Sequence, residues 1–152
     1  MKKTFILATA LLLAALLPPS LPAWAGHDMG SMAMGGDSKT IMLESVHQDG
    51  VMAMVHLYDI SESMAKQGQK DTHHMMVMFT DMKDNKPIIE GSVALKVAGP
   101  DGVKGEPLKL MLMGDGFGAN IALSSPGPYT LEVGTKLADA KKRVFSFTYE
   151  KK

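Results

Sequence analysis

Residues 51–58, VMAMVHLY, contain the alternation that decides the fold class. Successive side chains of a β-strand point to opposite faces of its sheet, so apolar residues at every second position indicate a strand with one buried face. The predicted buried positions of this stretch are Val51, Ala53, Val55 and Leu57. Residues 72–80 repeat the pattern, with Met75, Val77 and Phe79 on one face. Both stretches are therefore predicted to be half-buried strands.

Six further stretches of the same kind complete the pattern. They are residues 40–47, 88–98, 107–113, 117–123, 129–135 and 143–149. Turns rich in Gly, Pro, Asp and Asn separate them, as at residues 99–102 and 125–128. Only residues 61–70 suit a short helix. Many short strands at regular spacing predict an all-β protein, an antiparallel immunoglobulin-like β-sandwich of seven to eight strands.

The first 25 residues have the features of a cleavable signal peptide. Lys2 and Lys3 precede an apolar run over residues 5–17, and the small-x-small triplet Ala23-Trp24-Ala25 follows. The run is short for a bilayer span, so we expect cleavage near Ala25 and no stable membrane anchor. The predicted location of the protein is the periplasm or the cell exterior.

The mature chain is expected to have two parts. Residues 26–39 form a flexible Gly/Met-rich tail, and residues 40–152 form the β-sandwich domain. The mature chain keeps 14 basic and 16 acidic side chains, a balance that does not suggest nucleic acid as a partner. The chain has no cysteine, which removes disulfides and thiolate ligands in an oxidising compartment.

Methionine is unusually frequent and unevenly placed. Thirteen of the 14 methionines follow Ala25, and eleven of these lie between Met29 and Met82. All five histidines lie in the same front half of the chain, between His27 and His74. Thioether sulfur and imidazole nitrogen both bind soft metals, so this shared location points to metal chemistry.

Most of these methionines occupy the outward positions of the predicted strands. A single Met is commonly a flexible core filler, an interpretation that suits Met64, Met75 and Met82. The outward methionines differ because they share one face of the sheet with histidine. We call this set the methionine face: Met42, Met52, Met54, His56, Tyr58, His74, Met76, Met78, Met111 and Met113.

The methionine face predicts a soft-metal site. Strands about 4.8 Å apart bring thioethers and imidazoles of neighbouring strands within reach of one ion. These donors favour Cu(I), with Ag(I) as a chemical mimic, and disfavour zinc. In a regular strand His73 and His74 point to opposite faces, so at most one of them joins the site. The predicted ligands are Met52, Met54, His56, His74, Met76, Met78, Met111 and Met113, with His47 and His73 in reserve.

Cleavage after Ala25 predicts a further ligand, His27. The new terminal amine of Gly26 and the amide and imidazole nitrogens of His27 together suit Cu(II). Met29, Met32 and Met34 follow closely, either as a collecting arm for metal or as a linker without a role.

No motif predicts an enzyme. The chain lacks a Gly-x-Ser-x-Gly elbow and a His-Glu-x-x-His pair. The run Gly114-x-Gly116-x-Gly118 joins two predicted strands rather than opening a helix, which argues against a phosphate loop. We therefore expect a binding protein.

About half of the chain carries turn and strand signatures of a known kind. They are Asp84-Asn85-Lys86-Pro87-Ile88, residues 93–97, Gly99-Pro100-Asp101-Gly102, residues 113–118 and residues 126–133. Together they resemble the YtkA-like and FixH-like periplasmic domains, which implies an immunoglobulin-like sandwich and, in several contexts, copper handling or oxidase assembly. The high Met and His content of residues 27–78 is similar to that of exported copper-resistance proteins of the CopC and CopK kind. No ligand motif of those proteins occurs at matching spacing, so the predicted ligands depend on the methionine face alone.

Two functions are compatible with these features. The first is an exported copper-binding protein, a metallochaperone, buffer or resistance factor that exchanges Cu(I) with a copper-accepting or copper-donating protein. The second is a metal-free immunoglobulin-like interaction module whose methionine face docks a partner protein.

Overall fold

The structure is a computed structural model and describes residues 39–152. Within these residues it contains nine strands and one short helix. The strands are β1 (Thr40–Met42), β2 (Val46–Gln48), β3 (Val51–Asp59), β4 (His73–Asp81), β5 (Gly91–Ala98), β6 (Leu108–Met113), β7 (Gly116–Ile121), β8 (Gly127–Leu137) and β9 (Lys142–Lys151). The helix, α1, is Ser61–Lys66, inside the segment predicted to be helical. Every paired strand is antiparallel, so the predicted all-β antiparallel fold is confirmed.

The strands form two layers that share one strand. The first layer contains β1, β2, β3, β4 and β7, and the second contains β5, β8 and β9. The shared strand is β6, whose residues 108–110 pair with β5 and whose residues 111–113 pair with β7. The resulting order is β1-β3-β4-β7-β6-β5-β8-β9, with β2 also paired to β3. The sheet therefore curls over on itself like a sandwich.

The core lies between the two layers. Along β3 and β4 every second side chain is buried, as the period-two pattern predicts, and the side chains between them are partly exposed except that of His74. Phe79 of β4 joins the layers, because its ring centroid lies 5.6 Å from that of Phe145 on β9. Within its own layer it lies 6.0 Å from the ring centroid of Phe117 on β7. The largest fully buried side chains are Phe79, Phe145, Leu57, Met75, Leu95, Leu123, Leu131, Val55, Val77 and Val133.

The predicted first strand, residues 40–47, is two strands separated by a bulge. Met42 stands opposite His56 and Val46 stands opposite Ala53, so residues 43–45 face only two residues of β3. Because of the extra residue, each side chain of β2 lies on the opposite face of the sheet from the one that an unbroken strand would give it. This break explains why nine strands are present where seven to eight were predicted.

Within residues 39–152 no helix is long and apolar enough to cross a membrane. The predicted signal peptide, residues 1–25, and nearly all of the predicted tail, residues 26–39, lie outside the described residues.

His73 is buried at one end of the core. Its ring centroid lies 5.6 Å from that of Tyr149, and its Nδ1 lies 2.8 Å from the Oγ1 of Thr72. Burial lowers the pKa of His73 from its ordinary value, the carboxylate of Asp59 opposes that shift, and Lys151 adds to it. The fold therefore prefers the neutral imidazole.

We predict that Phe79→Ala lowers the free energy of unfolding by about 3–5 kcal/mol, because it removes the ring that joins the layers. Urea denaturation followed by circular dichroism measures the change. Val144→Ala is the matched control, since Val144 is 59% exposed on β9, and it should change stability by no more than about 0.5 kcal/mol. Equal losses in the two variants would contradict the assigned core.

We also predict that the protein loses stability as the pH falls below about 6.5, the unfolded pKa of histidine. The unfolded chain then binds a proton that folded His73 resists, so the contribution is complete above this pH and decreases down to the folded pKa of His73. Urea denaturation of the wild type and His73→Gln between pH 7.5 and 5 measures it. His47, which is exposed, is the control. If the dependence of the free energy of unfolding on pH were unchanged in His73→Gln and reduced in His47→Gln, the assignment to His73 would be refuted.

Candidate metal centre

The methionine face is the outward surface of the first layer. On β3 and β4 its members alternate with fully buried core residues, and all of them except His74 are partly exposed. His74 is 7% exposed although it points away from the core; it bonds to Asn120 and its ring lies beside that of Tyr58. The bulge between β1 and β2 adds His47 to this face, since His47 stands directly opposite Met52. A strand without the bulge would have placed Met42 and His47 on opposite faces.

Strand register arranges these side chains in rows across the sheet. One row contains Met42, His56, Met76, Gly118 and Met111. Side chains directly opposite each other have Cβ atoms about 4.5–5.5 Å apart, so neighbours in a row are in reach of each other.

A second row runs beside the first, two residues along each strand. Met54 of β3 stands opposite Met78 of β4, and Met113 of β6 stands opposite Gly116 of β7. A third row, on the other side of the first, contains Tyr58, His74 and Asn120. The face therefore presents imidazole and thioether groups from four strands.

The glycines of β7 form a floor without side chains between β4 and β6. Gly116 and Gly118 are both buried, and a side chain at either position would project onto the methionine face. A Cβ atom on Gly118 would lie 3.0 Å from Nε2 of His74 and 3.2 Å from Sδ of Met113. One imidazole nitrogen and one thioether sulfur therefore converge on a single point above Gly118, although they come from different strands.

Met76 and Met78 lie along the same floor. A Cβ atom on Gly116 would be 3.1 Å from the Cγ atoms of both side chains. Each sulfur is bonded directly to that Cγ, so rotation about the Cβ–Cγ bond can bring it over Gly116 and Gly118. The space that Gly116 and Gly118 leave is thus bordered by His74, Met76, Met78 and Met113.

A hydrogen bond fixes the orientation of His74. Its Nδ1 donates to Oδ1 of Asn120 over 2.8 Å, since a carbonyl oxygen accepts only. The neutral ring then carries no proton on Nε2, the atom that points at Gly118. A polar partner on the other nitrogen is the usual device by which proteins orient and tune a metal-binding histidine.

His56 has an unusual environment. Its Nε2 is sealed from solvent and has no hydrogen-bond partner among the described residues. Its Nδ1 lies 3.5 Å from the hydroxyl of Tyr58, a long and weak contact. A buried polar nitrogen left without a partner costs about 1–3 kcal/mol.

The remaining predicted ligands lie elsewhere. His73 points into the core and packs on Tyr149, so it is separate from the methionine face. His47 lies at the edge of the face beside Met52 and is exposed. His27, Met29, Met32 and Met34 lie outside the described residues.

Three site residues were not predicted from the sequence: Gly116, Gly118 and Asn120. The glycine run was not predicted to take part in any site, and the signal that distinguishes it is two glycines at alternate positions of a strand. The role of Asn120 depends on its standing opposite His74, which only the strand order shows.

The donor set of this centre is nitrogen and sulfur without a carboxylate. Among residues 39–152 no group of three or more His, Asp or Glu side chains is arranged to hold a metal ion. Thioether and imidazole donors suit Cu(I), whereas zinc takes thiolate, imidazole or carboxylate and Mg²⁺ or Ca²⁺ takes oxygen.

Comparison with family models, with curated proteins and with solved structures found no match.

We predict that His74 carries its proton on Nδ1 in the metal-free protein. Proton–nitrogen correlation spectra of ¹⁵N-labelled imidazoles should show this tautomer in the wild type and in Asn120→Asp, which keeps the acceptor oxygen. Asn120→Leu removes the acceptor and should produce the other tautomer or a mixture. A proton on Nε2 of His74 in the wild type would contradict the geometry described above.

Proposed function

We propose that this protein is an exported Cu(I)-binding protein that buffers copper or passes it to another protein. The observation that carries the proposal is the convergence of Nε2 of His74 and Sδ of Met113, both within 3.2 Å of one point above Gly118. In this proposal Met76 and Met78 supply the further sulfur ligands. The metal is cargo, bound and released on the outward face.

The chemistry of the donors supports binding of a soft metal. Thioethers carry no proton, and in the neutral ring of His74 the hydrogen bond from Nδ1 to Asn120 leaves the electron pair of Nε2 free. Thioethers also remain usable outside the cytoplasm, where thiols oxidise to disulfides.

The exposure of the donors supports transfer. His74 is buried, while Met113 is 47% exposed and its neighbour Met111 is 60% exposed. A partner's ligands can reach the metal from the β6 side and replace the exposed sulfurs one at a time. His74 would be the last ligand to be released.

The location outside the cytoplasm rests on the sequence. Lys2, Lys3, the apolar run and Ala23-Trp24-Ala25 match a signal peptide, and cleavage would leave Gly26-His27 as a second, Cu(II)-type site. This part of the proposal is independent of the methionine face.

One observation favours the alternative of a metal-free docking module. Residues 111–113 of β6 are all large, apolar and about half exposed, and such a strip on a surface commonly contacts another protein. In that case the methionines serve as adaptable contact surface rather than as ligands.

Titration with Cu(I) against a competing chelator under reducing conditions separates the two functions. We predict that the triple variant Met76→Leu/Met78→Leu/Met113→Leu weakens binding at least about tenfold, since Leu keeps the volume but has no sulfur. The matched control is Met64→Leu/Met75→Leu/Met82→Leu, which removes as many sulfurs, none from the methionine face. It should bind as the wild type does.

Gly118→Ala tests the same centre by blocking its space. The added methyl group would press on His74, on Met113 and on the backbone oxygen of Met75. We expect weakened Cu(I) binding with unchanged circular dichroism. Wild-type affinity no better than that of an unrelated protein, or equal affinities in both triple variants, would refute the copper proposal and favour the docking module.

A further inference from the structure

The proposed centre uses one histidine of the methionine face and leaves the other, His56, without a role. His56 stands between two methionines of neighbouring strands, Met42 on β1 and Met76 on β4. Met54 precedes it by two residues on β3 and so faces the same way. This group lies toward β1, which ends the strand order of the first layer.

The buried nitrogen of His56 points to a missing ligand. Nε2 is sealed from water and meets no donor or acceptor of the described residues, which is rare for a buried polar atom. If Nδ1 donates its proton to the hydroxyl of Tyr58, 3.5 Å away, Nε2 presents a free electron pair to its surroundings. Thioethers supply no hydrogen bond of useful strength, whereas a soft cation between imidazole and thioether would satisfy both.

This group is separate from the centre above Gly118. Met76 directs its Cγ toward Gly116 and thus away from His56. Tyr58 lies beside both imidazoles, with its ring centroid 6.3 Å from that of His56 and 6.3 Å from that of His74. The sulfurs left for His56 are those of Met42, which is 70% exposed at the edge, and Met54.

We infer that the methionine face holds a second soft monovalent cation, Cu(I) or Ag(I), at His56, Met42 and Met54. This inference rests on the proposed function, because it assumes the same metal chemistry. Met76 is near both ions, since it stands opposite His56 and follows His74 by two residues on β4. An ion entering at the β1 edge can then pass across the sheet to the β6 edge by exchange of sulfur ligands.

The test is the number of Ag(I) ions bound per chain, counted by native mass spectrometry and by calorimetric titration. Ag(I) needs no reductant. We expect His56→Phe and Met42→Leu/Met54→Leu each to bind one ion fewer than the wild type, or to bind that ion at least about tenfold more weakly. Met64→Leu/Met82→Leu, matched in sulfur count, should bind as many as the wild type. Any ion held outside residues 39–152 is common to all variants and cancels.

Imidazole spectra locate the ions independently of the count. Ag(I) should shift the Nε2 resonances of both His56 and His74 in the ¹⁵N spectrum of the wild type. In His56→Phe the shift of His74 should persist, and in His74→Phe the shift of His56 should persist. If His56→Phe does not fold, Met42→Leu/Met54→Leu decides, since both changes conserve volume.

The outcomes keep the two proposals apart. Loss of one ion in His74→Phe, with full binding in both the His56→Phe and the Met42→Leu/Met54→Leu variants, would overturn the second site and leave the first intact. Full binding in His74→Phe as well would overturn the proposed function itself. One ion fewer in each of His56→Phe and His74→Phe, and two fewer in His56→Phe/His74→Phe, would support both sites.

Discussion

The complete burial of Met75, Val77 and Phe79 on β4 is the constraint on which the rest of the structure depends. This strand is central in its layer, paired with β3 on one side and β7 on the other. A shift of one residue would expose all three core side chains, so the register of the strand is firmly specified. The same register fixes His74, Met76 and Met78 on the outward face. Core packing thus orients the candidate ligands without any metal.

The candidate centre depends equally on what β7 lacks. Met76 and Met78 pack over Gly116, and His74 and Met113 meet over Gly118, because neither glycine projects a side chain into that space. Asn120, on the same face of the same strand, holds the His74 ring. One short strand therefore supplies both the space for an ion and the group that orients a nitrogen donor. The exposed methionines of β6 complete the border and leave it accessible from outside.

Period-two alternation was sufficient to predict the all-β fold, the inward faces of β3 and β4, and the opposite facing of His73 and His74. The bulge after Met42 was not predictable in this way, because it follows from pairing with β3 rather than from the composition of residues 43–45. It is the bulge that places His47 on the methionine face.

The role of Gly116 and Gly118 was not predicted from the sequence for a related reason. Gly118 and His74 are 44 positions apart in the chain, and nothing local indicates that β7 pairs with β4. Alternation assigns a residue to a face but not to a neighbour. The sequence therefore predicted which side chains share a surface, while the strand order determined that His74 and Met113 meet.

A crystal structure of the protein loaded with Ag(I) tests the site above Gly118 through the anomalous signal of silver. We predict an anomalous peak above Gly118, within bonding distance of Nε2 of His74 and Sδ of Met113. Silver bound only elsewhere, with His74 and Met113 unligated, would contradict it.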